Sequence, residues 1–132
     1  MHRTLLDDAA ARAARYLEVL PGRRVGPSPA AVAALDAWDT ALPDGPTDPH
    51  EVLRLLDEIG SPATMGIGNP RFFGFVMGGL LPVAMAANWL ASAWHQNSGM
   101  VSVTPVPAQL ESVSLRWLTA LFGLPEGTGA GF

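Results

Sequence analysis

The sequence predicts a mostly α-helical chain of about five helices, joined by loops that are rich in glycine and proline. Hydrophobic residues make up 48% of the 132 residues, which is too high a share for a disordered chain. The 14 glycines and 12 prolines divide this apolar content into short segments. In five of these segments the apolar residues recur every three or four positions, as in an amphipathic helix.

The first helix is predicted to stop at Pro21-Gly22, a pair that ends helices. Asp8 and Arg12 stand four residues apart on one face, where opposite charges pair on a helix surface. The apolar face of this helix is formed by Leu6, Ala10, Ala13, Leu17 and Leu20.

Two further helices are predicted in the first half from their start signals. Ser28-Pro29 combines a capping hydroxyl with a proline in the first turn, and Asp48-Pro49 combines a capping carboxylate with the same feature. All three helices are interpreted as amphipathic structural elements, which could equally wrap around a partner as an exchanged arm does.

Two more helices are predicted in the second half, one from Pro82 to about Trp94 and one that begins near Pro105 and ends at Gly123. The segment 82–94 is apolar on nearly every side, which predicts that it is buried all round. The segment 66–75 contains too much glycine for a helix, and its aromatic residues indicate a packed loop.

Charge is very unevenly distributed along the chain. Residues 59–132 contain only four charged side chains, and residues 72–110 contain none. The surface of a free-standing domain carries far more charge than this, and a segment this short has little interior of its own. We therefore expect the second half to be covered by further polypeptide, by a partner subunit or by lipid.

Composition argues against several classes of function. The absence of cysteine rules out disulfides, thiolate zinc sites and cysteine nucleophiles, and the net charge of −4 argues against nucleic-acid binding. All eight basic residues are arginine, so the chain offers no lysine amine for a Schiff base. The first residues lack the long apolar core of a signal peptide, so a cytoplasmic location is expected.

The three histidines are the first candidates for a polar site. His2, His50 and His95 show no metal-ligand spacing and no acidic cluster accompanies them, so no metal site is expected. His95 follows an apolar helix and precedes Gln96 and Asn97. Two readings stay open for it: a polar cluster at the end of a helix, or the lining of a ligand cleft.

Two other patterns suggest a site or a membrane span, and each has a simpler explanation. The glycines at 127, 129 and 131 lack the preceding strand and following helix of a phosphate-binding loop, so a linker is expected. The uncharged segment 72–94 is long enough to span a bilayer. Its glycines and proline, and the absence of a basic flank on its C-terminal side, argue against a span.

Six short motifs follow one another in a specific order along the second half. They are NPRFFGF at 69–75, NWLASAWHQN at 88–97, TP at 104–105, ESVSLRWL at 111–118, LFGLP at 121–125 and GAGF at 129–132. In this order and at this spacing they resemble the group II pyridoxal-phosphate-dependent amino-acid decarboxylases, the relatives of aromatic-amino-acid and glutamate decarboxylases. The resemblance covers residues 47–132, whereas residues 1–46 resemble the helical N-terminal arm of that family only loosely.

The resemblance implies a larger α/β parent fold, the pyridoxal-phosphate-dependent transferase fold type I, assembled as an intertwined homodimer. It implies a helical arm over 1–60 and, over 61–132, the start of the decarboxylase domain, truncated before the turn that binds the cofactor phosphate. The implied activity is that of a cytoplasmic carboxy-lyase of amino-acid metabolism, with pyridoxal 5'-phosphate held on a lysine. A lysine-free fragment of this kind is expected to be inactive alone.

The resemblance also implies which residues approach the substrate, in two loops. The first loop contributes Phe75, Val76, Met77 and Gly78, and the second contributes Asn97, Gly99 and Met100. The apolar side chains of Phe75 and Met100 would suit an apolar or aromatic substrate. No catalytic, cofactor-binding or metal-binding residue is expected within the chain.

Two alternatives belong to other classes of protein. The chain could be a small helical interaction module that buries its apolar half in a homo-oligomer and has no catalytic role. It could also be a membrane-anchored protein with segment 72–94 in lipid.

Overall fold

A computed structural model of the protein describes residues 2–96, 100–129 and 131. Throughout these ranges the regular structure is helical and no strand forms, which confirms the mostly α prediction. The helical segments are α1 (His2–Val19), α2 (Pro29–Ala33), α3 (Pro49–Leu55), α4 (Ser61–Ala63), α5 (Pro82–Trp94) and α6 (Pro105–Leu121). A π-helical stretch, Leu56–Gly60, joins α3 to α4 without a break, and a 3₁₀ stretch, Ala34–Trp38, extends α2. Within the described ranges these stretches form five continuous helical segments, as the sequence predicts.

The predicted start and stop signals act as expected in the first half. The Ser28 hydroxyl accepts a hydrogen bond from the backbone N–H of Ala31 at 3.1 Å, and the Asp48 carboxylate accepts one from the N–H of His50 at 2.8 Å. The first helix passes into a 3₁₀ turn, Leu20–Gly22, where Pro21 prevents the α-helix from continuing.

The chain forms two compact units, residues 1–80 and 81–132. The predicted division at residue 60 concerns the parent enzyme and stays a prediction.

In the first unit, a polar cluster joins α1 to the third helical segment. Arg12 donates to Asp8 at 2.9 Å, which confirms the predicted pair, and also to Asp57 at 3.0 Å. His50 lies 3.1 Å from Asp8, and this hydrogen bond is the largest cause that lowers the pKa of the Asp8 carboxyl, with Arg12 lowering it further.

The apolar interior of the first unit is small and centres on Leu20. This side chain is only 7% exposed. Loop glycines lie against it: a Cβ added at Gly68 would stand 2.9 Å from Leu20 Cδ2, and one at Gly66 would stand 3.5 Å from Cδ1. Because these glycines have no side chain, the loop backbone can lie directly against the leucine.

The second unit contains α5 and α6, and neither helix has a buried residue. α5 ends at Trp94, and His95 directly after it adopts the left-handed conformation (φ 51°). The turn after α6 ends with Gly123 at φ 61°, as the predicted stop there requires. The expectation that α5 is buried all round is therefore not met by this chain itself. Trp89, Leu90 and Trp94 are all exposed. Across the described ranges, no helix is both long enough and apolar enough to cross a membrane.

Candidate functional site

The clearest built feature of the first unit is the root of the loop that follows Gly68. Asn69 is only 3% exposed, and its side-chain amide donates to the carbonyl oxygens of Leu20 at 2.7 Å and Arg23 at 3.1 Å. Its side-chain oxygen accepts from the backbone N–H and from the guanidinium Nε of Arg71, at 2.9 and 3.3 Å. Both the NH₂ group and the oxygen of the Asn69 side chain are therefore hydrogen-bonded, as expected for a buried polar group.

Arg71 holds the same turn from a second direction. Its guanidinium donates to the carbonyl oxygens of Pro21 at 3.3 Å and Arg23 at 2.5 Å. These carbonyls follow the last turn of α1, where the helix leaves backbone acceptors without helical partners. Asn69 and Arg71 together therefore fix the loop root to the turn 20–25, and we refer to this set of contacts as the root clamp.

The loop beyond the root clamp is turned back by aromatic and backbone contacts. The rings of Phe72 and Phe75 lie 6.3 Å apart in a tilted arrangement. A Cβ added at Gly74 would stand 3.2 Å from the Phe72 ring, so the loop backbone passes close to that ring. Phe75 and Val76 both adopt the left-handed conformation, at φ 57° and 54°. This conformation is unfavourable for non-glycine residues and most of all for a β-branched one.

The first predicted substrate loop lies at the tip of this segment. Phe75, Val76 and Met77 are 76%, 106% and 56% exposed, so none of them packs into the interior of the first unit. The backbone N–H of Met77 donates to the carbonyl of Gly74 at 3.3 Å, which closes the tip. The structure thus presents these three side chains outward on a short, closed turn.

Gly78, the fourth predicted residue of this loop, lines a groove of about 420 Å³. The groove runs between the end of α1 and the two ends of the loop, and a Cβ at Gly79 would stand 3.9 Å from the Cα of Gly68. Its other walls are mostly apolar, and they include Leu17, Leu20, Met65, Ile67 and Leu80.

The second predicted substrate loop belongs to the second unit, and only Met100 of its three residues is described. Asn97 and Gly99 lie outside the described residues. The Met100 carbonyl accepts from both the backbone N–H and the hydroxyl of Thr104, at 2.9 and 2.8 Å, while its side chain is 59% exposed. Thr104 itself is only 6% exposed, so this double contact anchors the backbone just before α6.

A larger groove in the first unit was not expected from the sequence. Its volume is about 500 Å³, and Arg15, Arg23 and Arg24 line it together with Asp57 and Glu58. Most of these charges are already engaged: Arg15 pairs with Asp57 at 3.3 Å, and Arg23 stacks on the Tyr16 ring at 4.5 Å. The arginine pair at 23–24 was a signal in the sequence, but Asp57 and Glu58, which line the same groove, lie more than 30 residues away along the chain.

Metal-binding chemistry finds no support in the described ranges. Among residues 2–96, 100–129 and 131, no three side chains of His, Asp or Glu stand close enough to hold a metal ion. No protein-family model matches this chain.

Proposed function

We propose that this chain is the N-terminal part of a pyridoxal-phosphate-dependent amino-acid decarboxylase. In this role it supplies dimer interface and one wall of the substrate cleft, and it becomes catalytic only within the larger homodimer. The observation that carries the proposal is the amount of apolar surface that the chain leaves exposed.

The accessible surface of the chain is 10,410 Å². Compact folded bodies of 80 and 52 residues that did not touch at all would together expose about 8,000 Å², from the usual scaling of surface with mass. The chain therefore exposes about 2,400 Å² more than two independent compact bodies would. One partner contributes about 800 Å² to a standard protein–protein interface, so the excess on this chain is about three times that share.

Much of the exposed surface is apolar, which is unfavourable in contact with water. α5 carries no charged residue, and Val83, Trp89, Leu90 and Trp94 on it are between 43% and 72% exposed. A helix that is apolar on all sides is normally enclosed by protein. The proposal supplies that enclosure from the rest of the subunit and from its dimer partner.

The residues of this chain do not by themselves fit the cofactor. Pyridoxal phosphate is carried on a lysine amine, and all eight basic residues here are arginine. Most arginines described in the first unit already hold carboxylates or backbone carbonyls, as Arg12, Arg54 and Arg71 do. We therefore assign no catalytic or cofactor-binding residue to residues 1–132 and derive no chemical step from them.

The role assigned to this chain is contact with the substrate side chain. Phe75 and Met77 present apolar surface at the tip of a closed turn, which suits an apolar or aromatic amino acid better than a charged one. Met100 of the second loop offers the same chemistry. Asn97 and Gly99 complete the proposed set from the family resemblance alone.

The test is to express the whole reading frame that contains this chain. We expect it to continue in frame with a lysine and a phosphate-binding turn, and its purified product to show visible absorbance from lysine-bound cofactor and to release CO₂ from an amino acid. A product that forms a stable, cooperatively melting oligomer without cofactor would instead identify a helical interaction module.

A matched pair of variants in that product tests the assigned contact. Phe75→Ala is expected to raise KM for an apolar amino acid roughly ten-fold, the usual effect of removing apolar contact in a pocket. Phe73→Ala is the control, because this neighbouring ring is 92% exposed and has no proposed contact. Equal effects of the two substitutions would contradict the placement of Phe75 in the cleft.

A further inference from the structure

The root clamp joins two parts of the chain that are distant in sequence. The buried amide of Asn69 reaches the carbonyls of Leu20 and Arg23, which lie 49 and 46 residues before it. The guanidinium of Arg71 reaches Pro21 and Arg23 in the same turn. The loop root therefore takes its position from the end of α1.

The contacts continue from the root to the tip of the loop. The Asn69 carbonyl accepts from the N–H of Phe72 at 2.9 Å, which forms a tight turn. The Phe72 ring then lies against the backbone of Gly74 and the ring of Phe75. The hydrogen bond from Met77 to Gly74 closes the tip.

The far end of the loop returns to its start, because Gly79 comes close to Gly68 beside the groove at Leu20. The backbone of the loop is thus held at its beginning and end, while its tip stands in solvent. Left-handed residues such as Phe75 and Val76 persist only where their surroundings determine the backbone. Among the described residues of the first unit, Asn69 of the root clamp is the buried polar residue, and it lies six residues before Phe75 in the sequence.

We infer that Asn69 and Arg71 are positioning residues that set the place of the substrate loop 75–78 from the end of α1. Neither residue belongs to the set proposed to contact the substrate, so each acts through the loop. This inference rests on the proposed function only for the identification of 75–78 as a substrate loop. The contacts of the clamp are independent of that function. A shift of the N-terminal arm would consequently move the apolar tip and change substrate affinity.

Hydrogen exchange on the full chain tests the clamp without any need for activity. Asn69→Ala removes all four side-chain hydrogen bonds of the amide, and we expect the Met77 amide to exchange at least about ten-fold faster, as the loss of more than one buried hydrogen bond implies. Arg71→Lys keeps the charge but loses the planar fork, and a smaller acceleration at the same amide is expected.

Arg24→Ala is the matched control, because Arg24 lies in the same turn but is exposed and makes no hydrogen bond or ion pair to the described residues. Exchange at Met77 should be unchanged in that variant. Faster exchange at 20–25 with an unchanged Met77 amide in both Asn69→Ala and Arg71→Lys would overturn the inference. If Asn69→Ala unfolds the chain, visible as equally faster exchange along α3, the Arg71→Lys result decides.

A kinetic readout separates positioning from simple stability. In the whole enzyme, Arg71→Lys is expected to raise KM several-fold while kcat and the absorbance of the cofactor stay unchanged. An unchanged KM alongside accelerated exchange at Met77 would show that the clamp stabilises the loop without positioning it, which would also overturn the inference. A whole product without cofactor or activity would refute the proposed function but leave the exchange result intact.

Discussion

Replacement of Leu20 by alanine is the most direct perturbation of the first unit. Leu20 is 7% exposed, and the backbone of the loop at Gly66 and Gly68 lies directly against its two methyl groups. Removal of a buried leucine side chain costs about 2–5 kcal/mol, depending on how far the surroundings can close over the cavity. One wall of the cavity is a loop rather than a helix, so the loop should partly close over it. We therefore expect Leu20→Ala to lower the free energy of unfolding by about 2–3 kcal/mol.

This loss is large relative to the stability available. A unit of 80 residues has a free energy of unfolding of about 4–12 kcal/mol. A loss of 2–3 kcal/mol should lower the urea midpoint of the unit by roughly 1–2 M, given the usual slope for small proteins. The assay is a urea titration followed by far-UV circular dichroism at low micromolar concentration of the full chain.

Leu6→Ala is the matched control because it makes the same chemical change in the same continuous helical segment, which runs from α1 into the 3₁₀ turn at Leu20. Leu6 is 63% exposed, so its replacement should change the free energy of unfolding by no more than about 0.5 kcal/mol. Equal midpoints for the two variants would refute the conclusion that the interior of the first unit centres on Leu20.

Three further predictions concern acid stability, a helix end and loop strain. The pKa of Asp8 is lowered from 3.8 in the folded state, so the stabilising effect of its carboxylate is present above that value and is lost as pH falls through the lowered pKa. At pH values below about 4 the urea midpoint of the chain should therefore decrease, and it should decrease less steeply in Asp8→Asn. Gly123→Ala places a side chain at φ 61° and should destabilise the end of α6 by about 1 kcal/mol, measured by amide exchange there. Gly129→Ala should not destabilise it, because Gly129 has equally open space around it but no positive φ. Val76→Gly should relieve left-handed strain and raise the urea midpoint by the equivalent of about 1 kcal/mol, whereas Val101→Gly, also exposed but without positive φ, should not raise it.

Local signals predicted the helices well, since each depends on residues that are neighbours in sequence. Ser28 and Asp48 cap the helices that they were expected to cap, and Pro21 ends α1 as predicted. Asp8 and Arg12 pair because a helix brings residues four apart together.

Contacts between distant parts of the chain were not predictable in the same way. Asp57 joins the Asp8–Arg12 pair from another helical segment, and no periodicity within α1 indicates it. Asn69 stands within a motif, but its partners at Leu20 and Arg23 are carbonyl oxygens, which every residue has. The sequence pattern therefore identified the residue as notable without revealing what it holds.

The apolar character of α5 was correctly predicted, but its burial was not found. Periodicity and composition predict which side chains are unfavourable in water, but they do not identify the polypeptide that buries them. The same limit applies to Phe75 and Met100, whose proposed contact with substrate depends on the family resemblance and on surfaces beyond this chain.

We propose that the exposed apolar surface of α5 is covered by polypeptide outside residues 1–132. Amide exchange along Pro82–Trp94, measured together with sedimentation of the isolated chain, tests this most directly. We expect either self-association or, at concentrations low enough to keep the chain monomeric, weak protection of these amides. A monodisperse monomer with strongly protected amides along α5 would contradict the claim.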